Sequence, residues 1–270
     1  MLYDGAQTTL AIETMKRLKD MNQPFYLAVG YYRPHLPFVA PRKYWDLYDR
    51  DALPPAPNPF LPRGAPPFAI NSQYELRDCY DLEWIQHPAK ERLPEDTARL
   101  LKHGYYASVS YVDACIGRLM EALDDMGLAE NTIVVVWGDH GWKLGEHGSF
   151  CKQTNYNDDT RVPLIVRAPG VRAGQTVERL VELVDLYPTL SELAGIDIPA
   201  NMEGSSFKPL LEDPELPWKS AAFSLYHQRP KVTLDGSEYM GYSMVTERYH
   251  LVEWHTWDDT TKTAGEMVVA

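Results

Sequence analysis

Three short stretches of this 270-residue chain carry side chains able to do chemistry on an anion. The first is VVVWGDHGWKLGEHGSF, residues 134–150. There Asp139 offers a hard carboxylate oxygen and His140 an imidazole nitrogen, which together could fill two positions around one divalent cation. Gly138 and Gly141 let the backbone turn sharply and come close to a ligand. Asp and Gly also favour turns, so the same triplet reads equally as a strand-to-loop turn with a helix cap. The second stretch is GYYRPHLPF, residues 30–38, in which Arg33 and His35 are cationic or can become so. Pro34 and Pro37 stiffen it and pre-aim its side chains. His35 could donate to an oxyanion or protonate a leaving alcohol; as a lone histidine it also reads as an exposed residue on a rigid loop. The third is Lys152, in FCKQTNYND, which could stabilise charge on a transferring group, although most lysines are solvated surface. His147 has no independent argument and reads as structural.

The elements that must position these residues are legible from periodicity. Residues 6–21 place Leu10, Ile12, Met15 and Leu18 at near-helical spacing. FYLAVGY, residues 25–31, reads as a buried strand ending at the His35 stretch. Residues 33–94 are dense in proline, which cannot donate to a ladder, so they read as covering loop. Residues 97–126 give the clearest helix, with Leu101, Tyr105, Val109, Val112, Ile116, Leu119, Leu123 and Met126 as its apolar stripe and Gly127 as its stop. TIVVVW, residues 132–137, is a continuous β-branched run of the kind covered on both faces. In open α/β sheets ligand sites lie beyond the carboxyl ends of strands, which is where Asp139 and His140 emerge. PLIVRAP and a helix over 185–194 follow, and this order predicts an α/β domain with a central, largely parallel sheet. Beyond Pro209, AAFSLY, EYMGYSMVTE and RYHLVEW are spaced like an antiparallel meander. No obvious terminal element follows them.

Composition narrows the classes. A hydrophobic fraction of 44% and a charged fraction of 24% are those of an ordinary globular protein able to bury one sizeable core. A formal net charge of -12 argues against a nucleic-acid surface. An acidic chain can bind an anion only where a metal or local cations reverse the potential. Cys79, Cys115 and Cys151 follow no zinc-ligand spacing and form no disulfide framework. No run approaches the roughly 18 apolar residues of a membrane span. MLYDGAQTTL lacks the pattern of a signal peptide and reads as the entrance to a helix in mid-domain.

Taken in order and spacing, PFYLAVGYYRPHLPF, the long block YYASVSYVDACIGRLMEALDDMGLAENTIVVVWGDHGWKLGEHGSFCKQTNY, RVPLIVRAPG, LVELVDLYPTLSELAG and MGYSMVTERY resemble the sulfatase family, in its iduronate-2-sulfatase branch. The resemblance implies an alkaline-phosphatase-like α/β fold, a mixed sheet flanked by helices with a small C-terminal antiparallel sheet. It implies a calcium ion and removal of a 2-O-sulfate from iduronate in a glycosaminoglycan. Residue by residue, Asp139 and His140 match calcium ligands, Lys152 and His35 match groups that contact the sulfate, and Trp142 matches an aromatic near the sugar carboxylate. Arg229 falls in a substrate-side loop that is shorter here, as does Lys231.

The departures are specific. The family's nucleophile is a formylglycine made from the Cys or Ser of a C-x-P-S-R motif, and none of the three cysteines, nor any serine, stands in that context. The family's early pair of metal-binding aspartates is also absent, with the first strands of its sheet. Residues 1–208 are therefore expected to form the later part of the catalytic domain. Residues 209–270 are expected to form a small antiparallel subdomain whose completeness the sequence leaves open. Inactivity of the chain alone is expected, with a missing N-terminal fragment as its partner. Two alternatives stand beside an incomplete sulfatase: a non-catalytic module that binds sulfated glycans, and a superfamily phosphoesterase. Family members are lysosomal or exported, some bacterial ones cytoplasmic, so the compartment is open.

Overall fold

The computed structural model describes residues 2–79 and 81–270. The chain divides into two compact units, each described here by itself: Met1–Arg63 with Gln73–Glu130 and Lys143–Cys151, and Gly64–Ser72 with Asn131–Trp142 and Lys152–Ala270.

The first unit is built on two helices, α1 (Tyr3–Asp20) and α4 (Glu95–Asp125), with single-turn α2 (Arg42–Trp45) and α3 (Tyr74–Arg77) in the proline-rich stretch between them. Helix α1 begins earlier than predicted and buries a different face. Asp4, Gly5, Thr8, Ala11 and Met15 are the buried residues, whereas Leu10 is 53% exposed. The reason is close packing against α4: small residues let the helices approach until the Gly5 amide donates to the Tyr111 hydroxyl at 2.8 Å. Helix α4 likewise buries Gly104, Ala107, Ser108, Tyr111 and Cys115 and leaves Val109 exposed, so the predicted apolar stripe is only part of its covered face. A Cβ on Gly104 would come within 2.9 Å of both Phe38 and Trp45. Gly127, at φ +68°, ends the helix as predicted.

Residues 25–31 form no assigned element, and their exposure alternates with a period of two. Among the described residues no strand pairs with them, so the predicted buried strand is not formed as part of a ladder and only its period-two exposure is seen. Tyr26 is 84% exposed in consequence. The segment is tied instead to α1, where the buried Asp4 carboxylate accepts the Tyr32 amide proton at 2.7 Å.

In the second unit β1 (Val134–Trp137) pairs with β2 (Leu164–Arg167), Val134 opposite Arg167 and Trp137 opposite Leu164. The pair is antiparallel, not parallel as predicted. A parallel return needs a crossover, usually helical, and the connection holds only the single-turn α5 (Asn157–Thr160) and a turn of 3-10 helix at Glu146–Gly148. The two-sided cover expected for β1 is also incomplete, for Ile165 on its neighbour is 63% exposed.

Helices α6 (Leu186–Leu193) and α7 (Lys208–Glu212) lead into a four-stranded antiparallel meander: β3 (Ala221–Gln228), β4 (Tyr239–Thr246), β5 (His250–Asp258) and β6 (Thr263–Val269). Strand β6 is the terminal element that the sequence does not announce. Its residues 263–266, Thr-Ala-Gly-Glu, lack β-branched apolar character, and it joins the sheet by pairing with β5 across register shifts. The core of this sheet stacks Phe68, from the proline-rich stretch, on Tyr239 at 3.9 Å between ring centroids, with Trp254 edge-on to Phe68 at 5.5 Å.

Candidate functional site

Strand β1 delivers its C-terminal end to a tight turn. The Gly138 amide donates to the Pro163 carbonyl at 3.2 Å and the Gly141 amide to the Asp159 carbonyl at 2.7 Å, which pins both sides of Asp139 and His140. No side chain fits at 141: a Cβ there would lie 1.9 Å from the Asp158 carbonyl oxygen. Between these anchors the Asp139 side chain is 79% exposed and its Oδ1 accepts the His140 amide proton at 3.0 Å.

The histidine tautomer follows from its neighbour. His140 Nδ1 lies 2.8 Å from the Gly141 carbonyl, which can only accept, so Nδ1 carries the proton. The lone pair is left on Nε2, 3.7 Å from Asp139 Oδ2. Adjacent ligands at bond lengths of about 2.3 Å lie about 3.3 Å apart, so these two atoms are spaced to share one divalent cation. A backbone carbonyl accepting the far N–H is also how metal-binding imidazoles are oriented. The donor set therefore fits part of a divalent site. It does not fill the six to eight oxygen positions that calcium usually takes.

Lys152 is buried in the same unit, at 5% exposure. Its ammonium stands 5.3 Å from the centroid of the Trp142 indole, a face that attracts cations. The residues after it form a polar cluster that sequence reasoning missed. Asn71 donates to the Gln153 side-chain oxygen at 3.0 Å, Gln228 to the Gln153 carbonyl at 3.3 Å, and Thr154 holds Asp159 by both amide and hydroxyl. Gln153 itself is left-handed, at φ 70°. Burial, and behind it the charge of Asp159, push the Tyr156 hydroxyl up to about 12. Amide and hydroxyl side chains read as surface in a sequence; here they carry the backbone that aims Lys152. The one signal was their density in QTNYND.

Arg229 is exposed directly after β3, in a turn closed by the Val232 amide donating to the Arg229 carbonyl at 2.9 Å; Lys231 is exposed in the same turn. His35 belongs to the first unit, where its peptide neighbours Arg33–Pro34 and Leu36–Pro37 are cis. Its Nδ1 donates to the Leu36 carbonyl at 2.9 Å, and its Nε2 stands 4.0 Å from Glu75. Arg33 is committed to backbone, donating to the His35 and Val39 carbonyls. His147 donates its amide proton to the Asn58 carbonyl, and all three cysteines are free thiols. The structure thus joins Asp139 to His140 and Lys152 to Trp142.

Known proteins share this arrangement of elements. The family profile described as Sulfatase matches residues 2–196, and that for the C-terminal part of N-sulphoglucosamine sulphohydrolase matches residues 145–264. Iduronate 2-sulfatase of Homo sapiens is 34% identical over 307 residues, an alignment covering 94% of this chain and 56% of that protein. The chain therefore spans little more than half the length of that relative. Among solved structures, BT4656 in complex with its substrate D-glucosamine-2-N,6-O-disulfate superposes with a TM-score of 0.78 at 24% identity, covering 96% of this chain and 63% of that one. Phosphonate monoester hydrolase from Silicibacter pomeroyi superposes with a TM-score of 0.67 at 27% identity, covering 90% and 52%. The architecture in common is the alkaline-phosphatase-like fold. Matched over residues 2–196 by the family profile, and 34% identical across 94% of its length to a human member, this chain belongs to the sulfatase family.

Proposed function

We propose that this chain carries part of the site of an iduronate-2-sulfatase-like enzyme, acting on a 2-O-sulfated iduronate in a glycosaminoglycan. The observation that carries the reading is the Asp139–His140 pair: two metal-competent atoms 3.7 Å apart, with Nδ1 of the imidazole committed to the Gly141 carbonyl so that Nε2 is the ligand atom. Asp139 and His140 would hold a calcium ion, whose charge would offset that of the sulfate. Lys152 contributes a desolvated cation, worth more to a sulfate oxygen at low dielectric than it would be in water. Its place over the Trp142 face limits where the ammonium can go. Trp142 and Arg229 are assigned to the sugar side, the indole as a wall and the guanidinium toward a sugar carboxylate. For His35 the role of proton exchange with a leaving alcohol rests on the family resemblance alone.

The residues present do not fit formylglycine. Cys79 precedes Tyr-Asp-Leu, Cys115 precedes Ile-Gly-Arg and Cys151 precedes Lys-Gln-Thr. No covalent step is assigned to these residues, and the chain by itself is proposed to bind sulfated sugar without turning it over. A second reading is a module that recognises sulfated glycans and does no chemistry, which the Lys152–Trp142 pair would serve equally. A third, a phosphoesterase of the same superfamily, draws on the likeness to the phosphonate monoester hydrolase.

Calorimetric titration with a 2-O-sulfated iduronate disaccharide and its desulfated counterpart, with calcium present, tests the binding. The sulfated sugar binds and the desulfated one does not, and Lys152→Met weakens the complex about tenfold or more, the scale of one charge-assisted hydrogen bond. Equal affinity for the two sugars defeats the reading. Hydrolysis of a phosphonate monoester above the level of a His140→Ala control would favour the phosphoesterase.

A further inference from the structure

A second group of ligand-competent side chains stands at one end of the C-terminal sheet. His227 is the penultimate residue of β3, Glu238 precedes β4 and Asp259 follows β5. Antiparallel register brings these three ends together: His227 pairs with Met240, Tyr239 pairs with Thr256, and the Trp257 amide donates to the Glu238 carbonyl at 3.0 Å. One ligand atom from each residue lies within 4.8 Å of the other two, and His227 Nε2 is 3.2 Å from Glu238 Oε2.

We propose that His227, Glu238 and Asp259 form a binding site for a divalent transition-metal ion, zinc in the first instance, that clasps the ends of β3, β4 and β5. One imidazole nitrogen and two carboxylate oxygens make a borderline donor set, which suits zinc better than calcium with its six to eight oxygens. Ligands around a tetrahedral zinc lie about 3.4 Å apart, so a side-chain rotation closes the widest gap in the set. A fourth position is left for water. Two of the three side chains sit on or beside paired strands and are mostly covered, with exposures of 17% for His227 and 26% for Glu238, which strengthens their field. Trp257 steadies the third corner: its indole lies 5.7 Å from the His227 ring and donates to Asp259 Oδ1 at 3.4 Å. The site already attracts a cation, since Lys262 Nζ stands 2.6 Å from Asp259 Oδ1. A bound ion would take over that role and free the lysine. Because His227 lies two residues before Arg229, the clasp would also fix the root of the loop that carries Arg229 and Lys231.

Zinc titration by calorimetry, with Co2+ absorption as a spectroscopic readout of geometry, tests this on the whole chain after metal stripping. The Asp139→Ala/His140→Ala double variant removes the other candidate ligands, so the two sites are distinguished. That variant retains one zinc equivalent, and adding His227→Gln or Asp259→Asn weakens it more than about 100-fold, beyond the 10- to 100-fold that loss of an outer partner costs. Lys262→Ala tightens zinc binding by removing the competing ammonium. Asp259 is exposed after the strand end, so Asp259→Asn keeps the test valid if His227→Gln misfolds. No zinc bound by the double variant, or binding unchanged in both His227→Gln and Asp259→Asn, overturns the proposal.

Discussion

Two glycines show how differently the same residue is used. At Gly141 a Cβ would sit 1.9 Å from the Asp158 carbonyl oxygen, so Gly141→Ala must push apart the two segments that pin Asp139 and His140. A loss of at least about 1–3 kcal/mol in urea unfolding is expected, in the range of overpacking. Gly117, inside α4, has nothing within 4 Å of where a Cβ would go. Gly117→Ala should stabilise by about 0.5–1 kcal/mol, through chain entropy alone. Histidine 250 sets a pH dependence. Its ring bonds the Ser243 hydroxyl at 2.7 Å, and burial lowers its pKa below the ordinary value. A depressed folded-state pKa means that below the unfolded value the unfolded chain takes up the proton first. The stability that the neutral ring contributes is therefore complete above about pH 6.5 and declines as pH falls from there toward the folded pKa. Urea midpoints measured between pH 7.5 and 5.5 should fall less steeply in His250→Gln than in the parent.

At the scale of elements, the start of α6 rests on a buried ion cluster. Asp185 has no exposure, and its carboxylate accepts from the Glu182 and Ser205 amides, each at 2.8 Å. Lys219, before β3, bonds both Asp185 and Glu182 at 2.7 Å. Burial works to lower the lysine pKa, but the hydrogen bonds to Asp185 and Glu182 outweigh it and hold the value up. Removing the cation leaves a covered carboxylate uncompensated, so Lys219→Met should cost about 3 kcal/mol or more in thermal or urea unfolding. A loss below 1 kcal/mol would show the cluster to be solvated. The sheet has its own point of dependence in Phe68, stacked on Tyr239. Phe68→Ala should cost about 3 kcal/mol and lower the near-ultraviolet circular dichroism of the Tyr239–Trp254 cluster.

At the scale of the whole molecule, the proposed divalent site has two named candidate ligands, Asp139 and His140, where calcium takes six to eight. Calcium should therefore bind the isolated chain with a dissociation constant of about 1 mM or weaker, adding under about 0.5 kcal/mol of stability at 1 mM calcium. A thermal shift measured with and without the ion, against His140→Ala, checks this. Submicromolar calcium affinity lost in His140→Ala would mean that the chain supplies a fuller shell than Asp139 and His140. Turnover of an aryl sulfate is expected to equal that of the same control, since no residue stands in the C-x-P-S-R context. The exposed apolar side chains of Trp137 and Ile165 lie on strands whose cover is incomplete among the described residues, and Tyr26 lies in a segment with no paired strand among them.

What the sequence determined by itself is local. The span of α4, its stop at Gly127, the strand before Asp139 and three strands of the meander all follow from periodicity and turn chemistry within short windows. The long block from Tyr105 to Tyr156 carried the family. Tertiary structure decided everything that depends on distant partners. It buried the small-residue faces of α1 and α4, left 25–31 without a ladder and ran β2 antiparallel to β1. It also drew β6 into the sheet, set the polar cluster behind Lys152, and brought His227, Glu238 and Asp259 to one sheet end. Periodicity reports which residues prefer cover, but only the folded chain supplies the neighbour that provides it, and hydrogen-bond partners far apart in sequence leave no trace in the spacing.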